Sequence, residues 1–365
     1  MHFPTARNRS ARSRAAVALM AGLALGGGLL AQGPTSAASA APASGVADLK
    51  PGQFAGVNWA DPRDNFADDA VVPSGLSVSD SYSTVYSKAS AILRGFRKIG
   101  ANTVRLPVNP YSVGSSWWDS YQGAIDAATH QGFTVILAYW EGTGQNKDGQ
   151  VDDLTSWRSM WSTLTATYAS NKHVSFEPMN EPHAYSLADW SNLAAGWIAT
   201  YPSVPRDRIF VSGTGYDDSV TGVCADPRLN GTYLALHDYA YWGTNTYSGW
   251  MTDISNRLGS CAARTVVDEF GAPMTDGLDY NGSTTADDVA SNNYIAFIQA
   301  MTDTVHSLGM GSVYWPGLRT GDSYSLTELT GTGTKLSLAL NSSSGLDRIR
   351  FGWRSGNALS LAHSD

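Results

Sequence analysis

The sequence predicts an α/β fold in one domain, a (β/α)8 TIM barrel, on three observations. Eight short runs rich in Val, Ile, Phe and Thr are spread along the chain beyond residue 50. Between them lie long, one-sided apolar patterns at helical spacing. No glycine-rich phosphate fingerprint follows the first run, which turns the alternation away from an open nucleotide-binding sheet. Alternating strand and helix implies parallel pairing with right-handed crossovers, and eight such units favour closure.

In order, the runs are Phe54–Trp59, Thr103–Pro107, Thr134–Tyr139, Val174–Asn180, Ile209–Gly213, Leu234–Tyr239, Thr265–Phe270 and Ser312–Trp315. They have the composition of strands buried on both faces. Apolar residues step by three and four from Tyr82 to Ile99, from Trp157 to Tyr168, from Leu187 to Tyr201 and from Tyr294 to Leu308. Gly100 and Gly132 stand where helices end before the next strand. Thr214–Tyr233 is the weak element, because Cys224, Pro227 and Gly231 read as loop. After Trp315, the alternating stretches Tyr324–Leu329 and Lys335–Leu340 predict a small hairpin, and a closing helix is expected near Asp347–Trp353.

Residues 1–40 are set apart from the barrel. Arg7, Arg9, Arg12 and Arg14 precede an apolar run from Ala15 to Leu30, then a small-residue stretch with Ala38-Ser39-Ala40. That is the order of a secretory signal peptide, with an uncleaved anchor as the alternative. Residues 41–365 would then be a secreted, extracellular, monomeric domain that does not engage a membrane. Losing the four arginines lowers the formal charge from −8 to about −12. An acidic chain without basic clusters argues against a nucleic-acid partner. Cys224 and Cys261 are the two cysteines, and in an exported protein they can pair; two buried thiols are the alternative.

In a barrel, function collects at the C-terminal ends of the strands. The fourth strand leads into Pro178-Met179-Asn180-Glu181-Pro182, and the seventh ends in Asp268-Glu269-Phe270-Gly271. A Glu at the mouth of each gives two carboxylates facing across a cleft, the pair that glycoside hydrolysis requires. Asp268 alternates with Glu269 along the strand, which predicts its side chain on the opposite face. Glu177 has the same parity as Glu181 and is either a deeper acid of the barrel interior or, the preferred reading, a support for Arg105.

Ala101-Asn102-Thr103-Val104-Arg105-Leu106-Pro107, Asn180-Glu181-Pro182, His237-Asp238-Tyr239, Asp268-Glu269-Phe270-Gly271 and Trp315 occur in this order. Together they resemble glycoside hydrolase family 5, the cellulase and mannanase family of the retaining barrel clan. The resemblance runs from about Gly56 to Trp315. It implies a retaining glycosidase acting on a carbohydrate, with Glu181 as acid/base and Glu269 as nucleophile. It also implies that Asn180 bonds the sugar hydroxyl beside the reacting carbon, that Arg105 and Tyr239 attend Glu269, and that His237 contacts substrate or Glu181. Trp315 would form the sugar-stacking floor. The two carboxyl groups are then expected roughly 5 Å apart. No cofactor and no metal is expected.

One departure bears on substrate. Many family members carry a His near the end of the third strand, where this chain has Leu137-Ala138-Tyr139-Trp140-Glu141. Trp140 and Asn58 are therefore placed among the residues that bind substrate or support those that do. The polar stretch from Asn58 to Asp64 reads either as a contact to an unusual sugar or as a salt-bridged loop. Three other readings stay open. They are an exo-acting glycosidase or transglycosylase on a furanoside or other rare sugar, an inactive glycan-binding barrel, and a metal-dependent hydrolase barrel. The last lacks a His-x-His on the first strand, and no carboxylate–His cluster is expected elsewhere, so a metal chelator should do nothing.

Overall fold

A computed structural model describes residues 50–141, 147–243, 246–284 and 293–353. The expected signal segment, residues 1–40, lies outside the described residues. Eight strands form one parallel sheet: β1 (Ala55–Trp59), β2 (Thr103–Val108), β3 (Thr134–Tyr139), β4 (Val174–Glu177), β5 (Phe210–Ser212), β6 (Tyr233–Tyr239), β7 (Thr265–Gly271) and β8 (Gly311–Leu318). The strand order β4-β3-β2-β1-β8-β7-β6-β5 puts β4 and β5 at the two ends. A parallel bridge from Phe176 to Ile209 joins those ends and closes the barrel. The fold class expected from the sequence is the one found.

The helices between the strands are α1 (Tyr82–Lys98), α2 (Pro110–Val113), α3 (Trp117–His130), α4 (Leu154–Tyr168), α5 (Leu187–Thr200), α6 (Thr221–Cys224), α7 (Tyr247–Leu258), α8 (Asn293–Leu308) and α9 (Ser343–Trp353). Side chains at their N-caps fix several starts: Ser81, Asp153, Ser186 and Thr246 each accept a backbone N–H of the first turn. Gly100 and Gly132 take positive φ after α1 and α3, the left-handed exit that glycine adopts without strain. The segment read as loop, Thr214–Tyr233, contains only the four-residue α6 and a single 3-10 turn.

After β8, β9 (Thr327–Thr332) and β10 (Lys335–Leu340) pair antiparallel. The hairpin's first strand therefore starts three residues later than the Tyr324–Leu329 expected from alternation. Leu338 of β10 lies against Gly95 of α1, where an added Cβ would meet its side chain at 2.6 Å. The glycine in mid-helix lets the hairpin seat on the barrel's outer layer.

The barrel interior is layered, as inward side chains from alternate strand positions must be. Phe54, Ile136, Phe210, Tyr233, Val266 and Val313 form an apolar floor separate from the main core. Above it come polar residues: Asp268 two positions beyond Val266, His237 four beyond Tyr233, and Arg105 on β2. Nearer the mouth, Ala60, Ala138, Trp140, Tyr239 and Trp315 form an aromatic rim. Val57, Val104, Phe176, Leu236 and Phe270 point the other way, into the core shared with the helices.

Cys224 and Cys261 form a disulfide with Cα atoms 6.3 Å apart. It ties the end of α6 to the segment before β7, and so lies toward the N-terminal ends of the strands. The bridge spans 37 residues of sequence, worth about 3–4 kcal/mol on chain-entropy grounds. Replacing both cysteines by alanine should lower Tm by roughly 5–10 °C in a thermal melt. Turnover at moderate temperature should be unchanged, because the bridge is remote from the mouth.

Candidate active site

Arg105 on β2 is the centre of the polar layer and is 1% exposed. Its Nε donates to Glu177 Oε2 at 2.7 Å and its Nη2 to Glu177 Oε1 at 2.5 Å, a two-pronged clamp. Nη2 also donates to Asn180 Oδ1 at 2.7 Å, and Nη1 donates to Asn58 Oδ1 at 3.0 Å and to Glu269. Guanidinium is the side chain whose rigid fork can serve so many acceptors at once. Glu177 therefore supports Arg105, as its parity indicated. Asn58 is held too: its amide donates to the Asp268 carbonyl at 2.9 Å. It orients Arg105 from within the barrel wall.

Glu269 receives a second hydrogen bond, from the Tyr239 hydroxyl at 2.9 Å. Burial pushes its carboxyl above the usual range, while Arg105 and the Tyr239 hydroxyl hold it down. Both groups expected beside Glu269 are there.

Glu181 follows β4 on a strained backbone, with φ of +50° immediately before a proline. The strand stops at Glu177 rather than Asn180, since Pro178 has no N–H to continue the ladder. The turn that follows lifts Glu181 into the mouth. His237 Nδ1 lies 2.9 Å from Glu181 Oε1. Burial pushes Glu181 up to about 8, with Arg105 offsetting only part of it. Burial also pushes His237 down to about 4, so the partner of Glu181 is a neutral imidazole. Carboxylate oxygens of Glu181 and Glu269 and a ring nitrogen of His237 all lie within 4.8 Å of one another. The nearest oxygens of the two carboxyls are thus no more than 4.8 Å apart.

At the rim, the Trp140 and Trp315 rings lie 5.3 Å apart and tilted by 31°. Trp140 thus brings an aromatic face to the third-strand position where a His is absent. Tyr241 stacks on Tyr239 at 4.9 Å, and Tyr216 stacks on His183 at 4.0 Å; both tyrosines are about half exposed. The polar stretch after β1 is a salt-bridged loop, with Arg63 reaching Asp61 at 2.7 Å and Asp69 at 2.5 Å.

One expectation is overturned. Asp268 does not face away from Glu269: it is fully buried, with Oδ2 3.7 Å from Arg105 Nε and Oδ1 3.5 Å from His237 Nε2. The pairing of β6 with β7 slips between Leu236 and His237, so that His237 pairs with Glu269 and Asp268 is the extra residue of a bulge. A bulge keeps two successive side chains on one side. Counting inward positions from Val266 would have placed Asp268 inside, but no residue announces that Glu269 follows it there. Asp217 was also missed. It lies in the loop after β5, fully buried, with Oδ2 3.4 Å from His237 Nε2. Nothing in that loop's composition distinguishes it from its neighbour Asp218.

Among the described residues, three sets of side chains have donors close enough to hold a metal ion. One is the Glu181, His237 and Glu269 group. The second is Glu177, Asp217 and His237, wholly buried. The third is Glu141, Asp148 and Asp152, a more exposed group on the segment after β3.

A family profile described as Cellulase (glycosyl hydrolase family 5) matches residues 67–316. A manganese dependent endoglucanase of Phanerodontia chrysosporium is 29% identical over 119 residues, covering 28% of this chain and 30% of that one. The chain thus matches less than a third of that relative's length. The catalytic domain of the major endoglucanase from Xanthomonas campestris pv. campestris superposes with a TM-score of 0.60 at 15% identity, covering 82% of this chain and 94% of that one. An endocellulase from Pyrococcus horikoshii, solved with cellotetraose, superposes at 0.59 and 14% identity, covering 82% and 92%. At such identities the two structures establish a shared fold.

Proposed function

The chain belongs to glycosyl hydrolase family 5, and from that premise we propose that it is a secreted, endo-acting retaining glucanase. The observation that carries this reading is the unequal environment of the two facing carboxyls. Glu269 is bonded by a guanidinium and a phenol, while Glu181 is bonded by a neutral imidazole. The first arrangement suits a carboxylate that must attack, the second an acid that must hold its proton at neutral pH.

In the first step a Glu269 oxygen forms a bond to the anomeric carbon. The bond from that carbon to the leaving oxygen breaks, and the Glu181 proton passes to the leaving oxygen. In the second, a water gives its proton to Glu181 and attacks the same carbon, releasing Glu269. Two inversions return the original configuration. Asn180, fixed by Arg105, is placed to meet the neighbouring sugar hydroxyl, and Trp140 and Trp315 supply stacking surface. Glucan as substrate and internal cleavage draw on the names of the related proteins and on the aromatic pairs either side of the mouth. Secretion draws on the basic, apolar and small-residue order of residues 1–40.

Trp140 in place of a third-strand His favours a second reading: an exo-acting glycosidase on a furanoside or other less common sugar. One experiment separates the two. Soluble β-glucans and a panel of aryl glycosides, furanosides included, are incubated with the enzyme while viscosity and reducing ends are followed. An endo-glucanase drops the viscosity early with few new ends, and proton NMR shows the first product with retained configuration. Activity confined to aryl furanosides would select the second reading, and an inverted first product would end the retaining assignment.

A further inference from the structure

We propose that Glu177, Asp217 and the Nε2 atom of His237 bind one first-row divalent cation beneath the catalytic pair, with Asp268 at the edge of the site. The three side chains come from the end of β4, the loop after β5 and β6, and none is more than 1% exposed. Their donor atoms lie within 4.8 Å of one another. Nε2 is 3.4 Å from Asp217 Oδ2 and 3.5 Å from Asp268 Oδ1. These contacts are longer than good hydrogen bonds. They equal the edge between two ligands on a tetrahedral ion, about 3.4 Å for metal bonds of about 2.1 Å.

A second observation points to a ligand there. Both oxygens of Asp217, both of Asp268 and Nε2 of His237 are buried without a hydrogen-bond partner. Leaving one such group unsatisfied is costly, and Nε2, Asp217 Oδ2 and Asp268 Oδ1 lie together. Charge leads to the same place. Glu177, Asp268 and Glu269 surround one permanent cation, Arg105, and Asp217 adds a further carboxyl beside His237. Glu177 already accepts from Arg105 through both oxygens, but a carboxylate has further lone pairs to offer an ion. An imidazole nitrogen beside carboxylates suits zinc or manganese better than magnesium or calcium.

Such an ion would set the tautomer of His237. With Nε2 bound, the ring proton stays on Nδ1 and points to Glu181 Oε1, where it would stabilise the carboxylate formed when Glu181 gives up its proton. The proposal stands whether the substrate is a glucan or another glycan.

The test needs no substrate. The full chain is stripped with a chelator, then titrated with Zn2+ or Mn2+ alone and followed by metal analysis, calorimetry and thermal melting. The expected result is about one tightly held ion per chain and a Tm rise of roughly 5 °C. Asp217→Asn should weaken binding by roughly 10- to 100-fold. Glu141→Gln, in the exposed acidic group, should leave binding unchanged. X-ray absorption of the zinc-loaded wild type should show an imidazole nitrogen in the coordination shell, and Glu181→Gln should keep the ion. Together these separate this site from the Glu181, His237 and Glu269 group even if the Asp217 variant folds poorly. Loss of the ion in Glu181→Gln would overturn the proposal. No stoichiometric ion, binding lost with Glu141→Gln, or an all-oxygen shell would overturn the proposal.

Discussion

Glu269→Gln should abolish turnover of every substrate, activated or not, by a factor on the order of 10⁴ or more. The expected loss is uniform because the covalent step is gone. Glu181→Gln should behave differently. The nucleophile remains, so an aryl glycoside with a good leaving group should still form the glycosyl-enzyme in a rapid burst. Its breakdown should then be slow, since the base for the attacking water is missing. Azide needs no base and should restore turnover of the Glu181 variant, giving a glycosyl azide of retained configuration. Stopped-flow release of the aryl group and NMR of the azide adduct read both effects. An azide adduct of inverted configuration from the Glu181 variant would exchange the two roles.

Arg105→Met should be the most damaging single change to the polar layer. It removes the cation shared by Glu177, Asp268 and Glu269 and leaves their charges buried together. Breaking a buried ion pair from one side costs about 3–5 kcal/mol. For a domain of this size that is a Tm loss of roughly 5–15 °C. Arg105→Lys keeps the charge but cannot reach Glu177, Asn58, Asn180 and Glu269 at the same time. It should recover part of the stability while kcat/KM stays at least about 100-fold down, since a misplaced nucleophile loses alignment. A Met variant that melts within 2 °C of the parent, about the shift of a single kcal/mol, would show that Arg105 does not hold the layer together.

How far the sequence foretold this site depends on what kind of pattern placed each residue. Arg105, His237 and Tyr239 lie on strands whose alternation is regular, and parity alone puts them inside the barrel. Helices with strong apolar stripes, such as Tyr82–Lys98, were equally legible. Trp117–His130 and Tyr247–Leu258 were not singled out: the first starts on two adjacent tryptophans and the second buries only Trp250, Ile254 and Leu258. Asp217 was invisible for another reason. Its position depends on a turn packed beneath β6, where its carbonyl accepts from the His237 backbone N–H at 3.1 Å. Contacts of that kind are tertiary, and no local periodicity encodes them.

The bulge in β7 makes this enzyme's chemistry a matter of reading frame within the strand. Upstream of it, Val266 faces the interior and Val267 the helices; downstream, Glu269 and Asp268 both face inward. Substituting a residue of β7 changes one side chain. Inserting one more between Thr265 and Glu269 would turn Glu269 toward the helices, whereas losing Asp268, which has no partner on β6, would leave Glu269 opposite His237. Insertions and deletions find room beyond Gly271, where the chain has left the sheet. An alignment of relatives that closes the gap in the wrong place would set Asp268 in the column of Glu269.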